Sequence, residues 1–366
     1  MTEDLLRPHI GRINGHPALM VDGKPFIMLA GEVHNSSSSS LVYMEQVWEK
    51  ANALGMNCLL LPVTWELTEP EEGKFDFSLL RGLIEQARRY GKKLSFLWFG
   101  AWKNAQCYYA PEWVKTNPVR FHRAQVVKGK NFIYNADFYN MPYSSLSYLC
   151  EETCRADARA FGRLMAYIRE VDSEEHTVIS VQVENETGVM GVAREHSDEA
   201  DALFAASVPQ AFADYMRTAG GEVGAAIEGG SSGGTWAEVF GPLAEEVFSA
   251  YHTACYVNAV AEEGKREYPI PLTVNCWLDK EGEEAGTYPS GGPVAKMMEV
   301  WRYCAPSVDI IGPDIYVPNF PEMCARFARG DNPPLHPGVR RPRLCRGQGC
   351  AECGPISRGL LLPLRL

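Results

Sequence analysis

The sequence predicts an α/β chain, a (β/α)8 TIM barrel that is incomplete, with about six of its eight strands present. Three observations carry that expectation. Short apolar runs alternate with helix-patterned segments from residue 26 to residue 329, the pattern of parallel strands joined by helical crossovers. Each apolar run ends directly in polar or aromatic residues, as barrel strands do where they converge on a catalytic mouth. The alternation then stops near Pro333, short of two further units. A doubly wound sheet is disfavoured, because the turn after the first strand reads Gly31-Glu32-Val33-His34-Asn35 rather than a Gly-rich phosphate loop.

The elements follow in order. Residues 26–30 form the first short apolar run. Residues 41–54 carry helical spacing through Met44, Val47, Trp48, Ala51 and Leu54. The serines at 36–40 read as a loop with an N-cap before that helix. Residues 57–63 (NCLLLPV) are a continuous apolar run, which suits a strand covered on both faces. Residues 79–90 are amphipathic and end at Gly91, a C-cap residue. Further strands are expected at 94–99, 178–183, 271–277 and 308–315, with helices at 156–171, 294–303 and 320–329. Two long segments, 105–150 and 188–240, interrupt the pattern and read as loops on the catalytic face, lids or substrate walls, with variable loop decoration the equal alternative.

Charge separates the chain into two unlike pieces. The total is 35 Lys+Arg against 46 Asp+Glu, a formal −11. Residues 331–366 nevertheless hold six Arg, no Lys and only two acids, with six Pro, five Gly and three Cys. The acidic remainder presents no broad basic face, which excludes nucleic acid as a partner. No apolar run reaches eighteen residues, so no membrane-spanning helix is expected. The polar start Met1-Thr2-Glu3-Asp4 is unlike a signal peptide, and a cytoplasmic location with free thiols is expected.

The sharpest chemical signal is Gln182-Val183-Glu184-Asn185-Glu186-Thr187 at the end of an apolar strand. Strand alternation predicts Glu184 and Glu186 on one side with Asn185 between them. Carboxyls crowded there suit general acid catalysis, since burial and neighbouring charge both raise a carboxyl's proton affinity. Trp65, Trp102 and Trp277 stand at strand exits where an aromatic face can pack on a pyranose, with core packing the equal alternative for each. Glu66, Asn104 and Tyr316 are further candidates for substrate contact. Other motifs carry less. Gly229-Gly230-Ser231-Ser232-Gly233 fits a nucleophile elbow formally but lies in a Gly/Ser stretch. Cys345, Cys350 and Cys353 lack a fourth ligand at regular spacing, so neither metal nor cofactor is expected.

The Gln-x-Glu-Asn-Glu motif after the fourth strand resembles the acid/base motif of family 35 glycoside hydrolases, retaining β-galactosidases on a (β/α)8 barrel related to family 42. Gly31-Glu32-Val33-His34 and the segment from Trp65 through Glu69-Pro70 to Phe75-Asp76-Phe77 are similar to that family as well. The resemblance spans roughly residues 17–333. It implies Glu186 as acid/base, Asn185 as the contact to the sugar 2-hydroxyl, a tyrosine such as Tyr316 near the nucleophile, and a β-galactoside oligosaccharide as substrate. Thr187 departs from it, standing where an aromatic commonly follows the glutamate. An oligomer is open to intact relatives.

Retaining hydrolysis needs a second carboxylate about 5–5.5 Å from the first, and the resemblance places it at the end of strand seven. Residues 333–341 (PPLHPGVRR) cannot form that strand, because proline removes ladder donors. The single acid beyond them is Glu352. Read one frame over, codons for residues 334–339 permit Leu-Phe-Ile-Pro-Glu, an apolar strand ending in glutamate. The chain is therefore expected to comprise a truncated catalytic domain, 1–332, and an out-of-frame or disordered tail, 333–366. No appreciable hydrolysis is expected of it, and two open sheet edges should favour aggregation. The alternatives are a non-catalytic carbohydrate-binding protein and an endo-acting relative that cuts mannan or cellulose.

Overall fold

The computed structural model describes residues 3–128, 133–135, 141–228, 233–333 and 362–365. Gly229–Ser232, Glu352 and the three tail cysteines lie outside the described residues. Strands and helices alternate as predicted. Strand β1 (Leu29–Glu32) leads to α1 (Leu41–Ala53), β2 (Cys58–Thr64) to α2 (Ser78–Arg89), and β3 (Lys93–Lys103) to α3 (Glu151–Asp172). Then β4 (Val178–Asn185) leads to α4 (Ala244–Glu267), β5 (Leu272–Cys276) to α5 (Met298–Cys304), and β6 (Ile310–Pro313) to α6 (Phe320–Phe327). The six strands neighbour one another in chain order, and every pairing is parallel. This is an incomplete (β/α)8 barrel of six units.

The apolar patterns explain the layers. All seven residues of β2 are buried because both of its faces are covered. Leu59, Leu61 and Val63 pack outward with Trp98, Val181 and Val183 against the helices. Leu60, Leu97, Phe99, Ile179 and Ile310 form a second, inner cluster. In α1 the buried stripe is Met44, Val47, Trp48 and Ala51, and Ser40 caps the helix by accepting from the Tyr43 N–H. Leu54 falls beyond the last turn and is 54 % exposed. Gly91 ends α2 at a φ of 63°.

Two expectations need correction. The first strand begins at Leu29, not residue 26, because Lys24–Pro25 pairs with an antiparallel hairpin, His9–Ile13 and His16–Val21. That hairpin sends Leu19 and Val21 into the inner cluster. Residues 188–240 are not open loop, since helices Asp198–Ala205, Gln210–Ala219, Gly221–Glu228 and Trp236–Phe240 lie within them. The 24-residue α4 adds to the expected elements, since its buried residues extend round more than one face and leave no single stripe. It packs on α3 so closely that a Cβ on Gly264 would fall 2.2 Å from the Phe161 ring.

The sheet edges differ from expectation as well. At β6 the Asn332 side chain does the work of a neighbouring strand. Its Oδ1 accepts from the Ile311 N–H at 2.8 Å, and its Nδ2 donates to the Ile311 carbonyl at 2.9 Å. The same amide donates to Phe327 O and accepts from Arg302, and Asn332 is fully buried. Pro313, two residues on, brings no N–H. At the other edge, Leu362–Arg365 of the tail runs parallel beside β1. Asn332→Ala should lower stability by about 3 kcal/mol, since it strands a buried N–H and C=O together. Urea denaturation will show the midpoint shift.

Candidate active site

The polar residues at the strand ends come from five different strands. Alternation fails at the end of β4, where Glu184 and Glu186 take positive φ values of 61° and 50°. The expected pairing of the two glutamates on one side is therefore not what the fold produces. Glu184 turns toward the helices, and Glu186 belongs to a different cluster.

Glu184 is fully buried. Its two oxygens accept the Ala101 and Trp102 N–H groups at 3.2 and 2.7 Å. These donors exist because β3 bulges: four residues of β3 separate the pairs Trp98–Val183 and Lys103–Asn185, where β4 has one. A Cβ on Gly100, within the bulge, would lie 2.4 Å from Glu184 Oε1 and 2.6 Å from Asp157 Oδ1. Asp157 of α3 accepts from Trp98 Nε1 at 2.9 Å and from the Tyr256 hydroxyl at 3.0 Å. Burial, then the Asp157 charge and hydrogen bond, push the Glu184 carboxyl well above the usual range. Burial raises the Asp157 carboxyl as well.

The bulge delivers Lys103 beside Asn185, and Lys103 Nζ donates to Asn185 Oδ1 at 2.8 Å. The next residue, Glu186, is 4 % exposed. Its N–H donates to Asn275 Oδ1 of β5 at 2.9 Å, and Asn275 Nδ2 donates to Asp314 Oδ2 at 3.1 Å. Asp314 follows β6, and the Glu186 charge is among the groups that act on it. Burial first, then the Glu186 charge and the Glu32 charge, raise Asp314 well above a normal aspartate, against a lowering by Lys103. Glu186 Oε2 and Asp314 Oδ1 are buried with no N–H or O–H donor among the described residues.

The other predicted residues spread around this cluster. Asn104, at a φ of 54°, donates its N–H to Asn185 O at 3.2 Å. Glu66 stands on the short helix after β2, ion-paired with Lys115 at 3.1 Å. Trp277 is half-buried after β5, and Tyr316 is 40 % exposed after β6. Trp65 and Trp102 are fully buried instead. Trp65 donates to Glu69 and meets Trp113 edge-on, while Trp102 donates to Ser145 and packs on Tyr256. Their rings are core in this structure, because the loops after β2 and β3 fold over them. Reading the sequence missed Lys103, Asn275 and Asp314. The available signal was a polar residue inside, or directly after, an otherwise apolar strand.

Past the cluster, Glu195 is buried and accepts from Ser147 Oγ at 2.6 Å. Burial pushes its carboxyl up from 4.5 to about 7. Two predictions follow from these buried acids. Gly100→Ala should cost about 3 kcal/mol or more, because the new methyl overlaps the Asp157–Glu184 pair, and thermal melting reports it. The Glu195 contribution to stability is complete below about pH 4.5 and is lost as pH rises to about 7, roughly 3 kcal/mol in all. Glu195→Gln should remove that slope from urea denaturation measured across the window.

Comparison with known proteins gives a consistent but partial match. Residues 18–91 match the family described as Glycosyl hydrolases family 35. A beta-galactosidase of Xanthomonas manihotis is 40 % identical over 57 residues, which are 16 % of this chain and 9 % of that protein. The fold aligns with crystal structures of beta-galactosidases from Bacillus circulans sp. alkalophilus and Rahnella sp. R3. TM-scores are 0.49 and 0.48, identities 15 % and 14 %, and 80 % and 79 % of this chain is covered. The chain spans only 40 % and 39 % of those two structures. Among the described residues no helix is long and apolar enough to cross a membrane, and no His, Cys, Asp and Glu group could hold a metal ion.

Proposed function

Residues 18–91 carry family 35 glycosyl hydrolase sequence, and from that premise we propose that the chain is part of the catalytic barrel of a retaining β-glycosidase. The substrate class is oligosaccharides with terminal β-galactosyl residues. The observation that carries the reading is the β4 exit, where Asn185 and Glu186 are presented side by side at the strand ends. Lys103 Nζ donates to Asn185 Oδ1 at 2.8 Å, which leaves the Asn185 amide N–H groups as the donors for a sugar hydroxyl. Asn275 fixes the Glu186 backbone at 2.9 Å and orders Asp314 against it.

In this reading Glu186 gives its proton to the glycosidic oxygen and later takes one from the attacking water. Asp314 is the neighbouring carboxyl, ordered by Asn275. Trp277 and Tyr316 flank the substrate at the exits of β5 and β6. No cofactor enters the reaction.

The nucleophile belongs at the end of a seventh strand, and the sequence 333–341 holds three prolines and no acid. We read this stretch as a one-base frame shift after Pro333, with Leu-Phe-Ile-Pro-Glu in the alternative frame. The 366-residue chain should turn over a nitrophenyl β-galactoside no faster than its Glu186→Gln variant. The gene read in the alternative frame from codon 334 should yield activity that Glu186→Gln lowers by about 10³-fold. Turnover by the 366-residue chain that depends on Glu186 would overturn the missing-nucleophile reading. A codon sequence that does not permit the pentapeptide would overturn the frame shift.

A further inference from the structure

Capping accounts for one residue of the serine run at 36–40. Ser40 caps α1, whereas Ser36, Ser38 and Ser39 line a cavity of about 290 Å³ at the exits of β1 and β2. An apolar wall of the same cavity comes from Val63 and from Leu79, Leu80 and Leu83 of α2. Glu66, on the short helix after β2, and Asp76, just before α2, bring two carboxylates to it. No Lys, Arg or His is among the residues that line it. Asn185, Glu186, Asn275 and Asp314 do not line it either, so it is separate from the acid cluster.

Hydrogen bonds hold the polar walls in place and use up their donors. Ser38 Oγ donates to the Pro62 carbonyl at 2.7 Å, Ser39 Oγ to the Ser36 carbonyl at 2.6 Å, and Thr68 Oγ1 to the Thr64 carbonyl at 2.9 Å. What these hydroxyls keep is lone pairs, which accept. Glu66 Oε2 is held by Lys115 Nζ at 3.1 Å, which leaves Oε1 as an acceptor. Asp76 Oδ1 is anchored by the Ser78 N–H at 2.8 Å. Thr64 also lines the cavity, and its Oγ1 is buried with no hydrogen-bond partner among the described residues. A buried hydroxyl left that way costs free energy that a bound hydroxyl would recover.

From an acceptor-rich lining beside an apolar wall, we propose that this cavity is a second binding site, for one neutral pyranose ring. Such a ring carries O–H donors round its edge and an apolar C–H face. Glu66 and Asp76 accept from its hydroxyls, and Val63 and the α2 leucines lie against the C–H face. A phosphorylated or carboxylated sugar would meet two acids and no cation here, so the site rejects it. The volume lies close to the lower bound of small-molecule sites, about 300 Å³, which admits one ring and not a chain. The assignment does not rest on the glycosidase reading, since it uses neither Glu186 nor the missing nucleophile.

Saturation-transfer NMR of the 366-residue protein, titrated with methyl β-galactoside, tests the assignment. The expected result is transfer to the C–H protons of the ring, and none to galactose 6-phosphate. Glu66→Gln and Asp76→Asn, both isosteric, should each weaken binding by about 10-fold. Leu79→Trp, whose indole fills the cavity, should abolish it, with thermal melting of each variant confirming that the fold is kept. No transfer to the unsubstituted chain would overturn the site. Undiminished transfer in folded Leu79→Trp would put the sugar elsewhere and overturn it equally. Displacement of the sugar by tetramethylammonium would overturn the ligand class in favour of an organic cation. None of these readouts uses glycosidase activity, so a failure of the catalytic reading leaves them standing.

Discussion

The bulge of β3, clasped by the Glu184 carboxyl, is the constraint on which the site depends. A regular β3 would carry Lys103 past β4 in a different register. With four residues looped against one, two consecutive N–H groups need an acceptor, and Glu184 supplies both oxygens. That acceptor is buried against a second carboxyl, an arrangement that is costly unless one proton is kept and every oxygen has a donor. Trp98, Tyr256 and the bulge itself meet the condition. Gly100 leaves the space for it.

The same bookkeeping recurs at the mouth with the opposite outcome. The Asp157–Glu184 pair has a donor for each oxygen, whereas Glu186 and Asp314 each keep a buried oxygen without one. A fully satisfied pair is a structural joint. Under the proposed reading, buried carboxyl oxygens left without a donor at the strand ends suit general acid and base work. Glu184 and Glu186, two residues apart, thus differ in how fully their surroundings satisfy them.

Much of this was legible in the residues. Continuous apolar runs located β2 and β4, and helical stripes located α1 and α2, because both signals follow directly from which faces are covered. The exit motif Asn185-Glu186 was visible for a similar reason, as polar groups abruptly ending a buried strand. The side on which Glu184 falls was not visible. Alternation assumes extended φ throughout, and the positive φ at Glu184 and Glu186 is imposed by a bulge on a different strand. Lys103, Asn275 and Asp314 were hidden because each is a lone polar residue whose meaning comes from a partner more than thirty residues away. Helix α4 was hidden because burial round several faces erases the stripe that periodicity detects.

Asn332 has a kinetic meaning beyond its stabilising one. An open strand edge captures any extended segment at no cost, which is why such edges recruit wrong partners. At β6 the backbone of Ile311 is already occupied by an amide that is itself held by Phe327 and Arg302. A strand arriving there must evict that amide before gaining its first bond. Addition at β6 thus becomes an exchange with a barrier, open to a segment that can place several residues at once and closed to a fleeting contact.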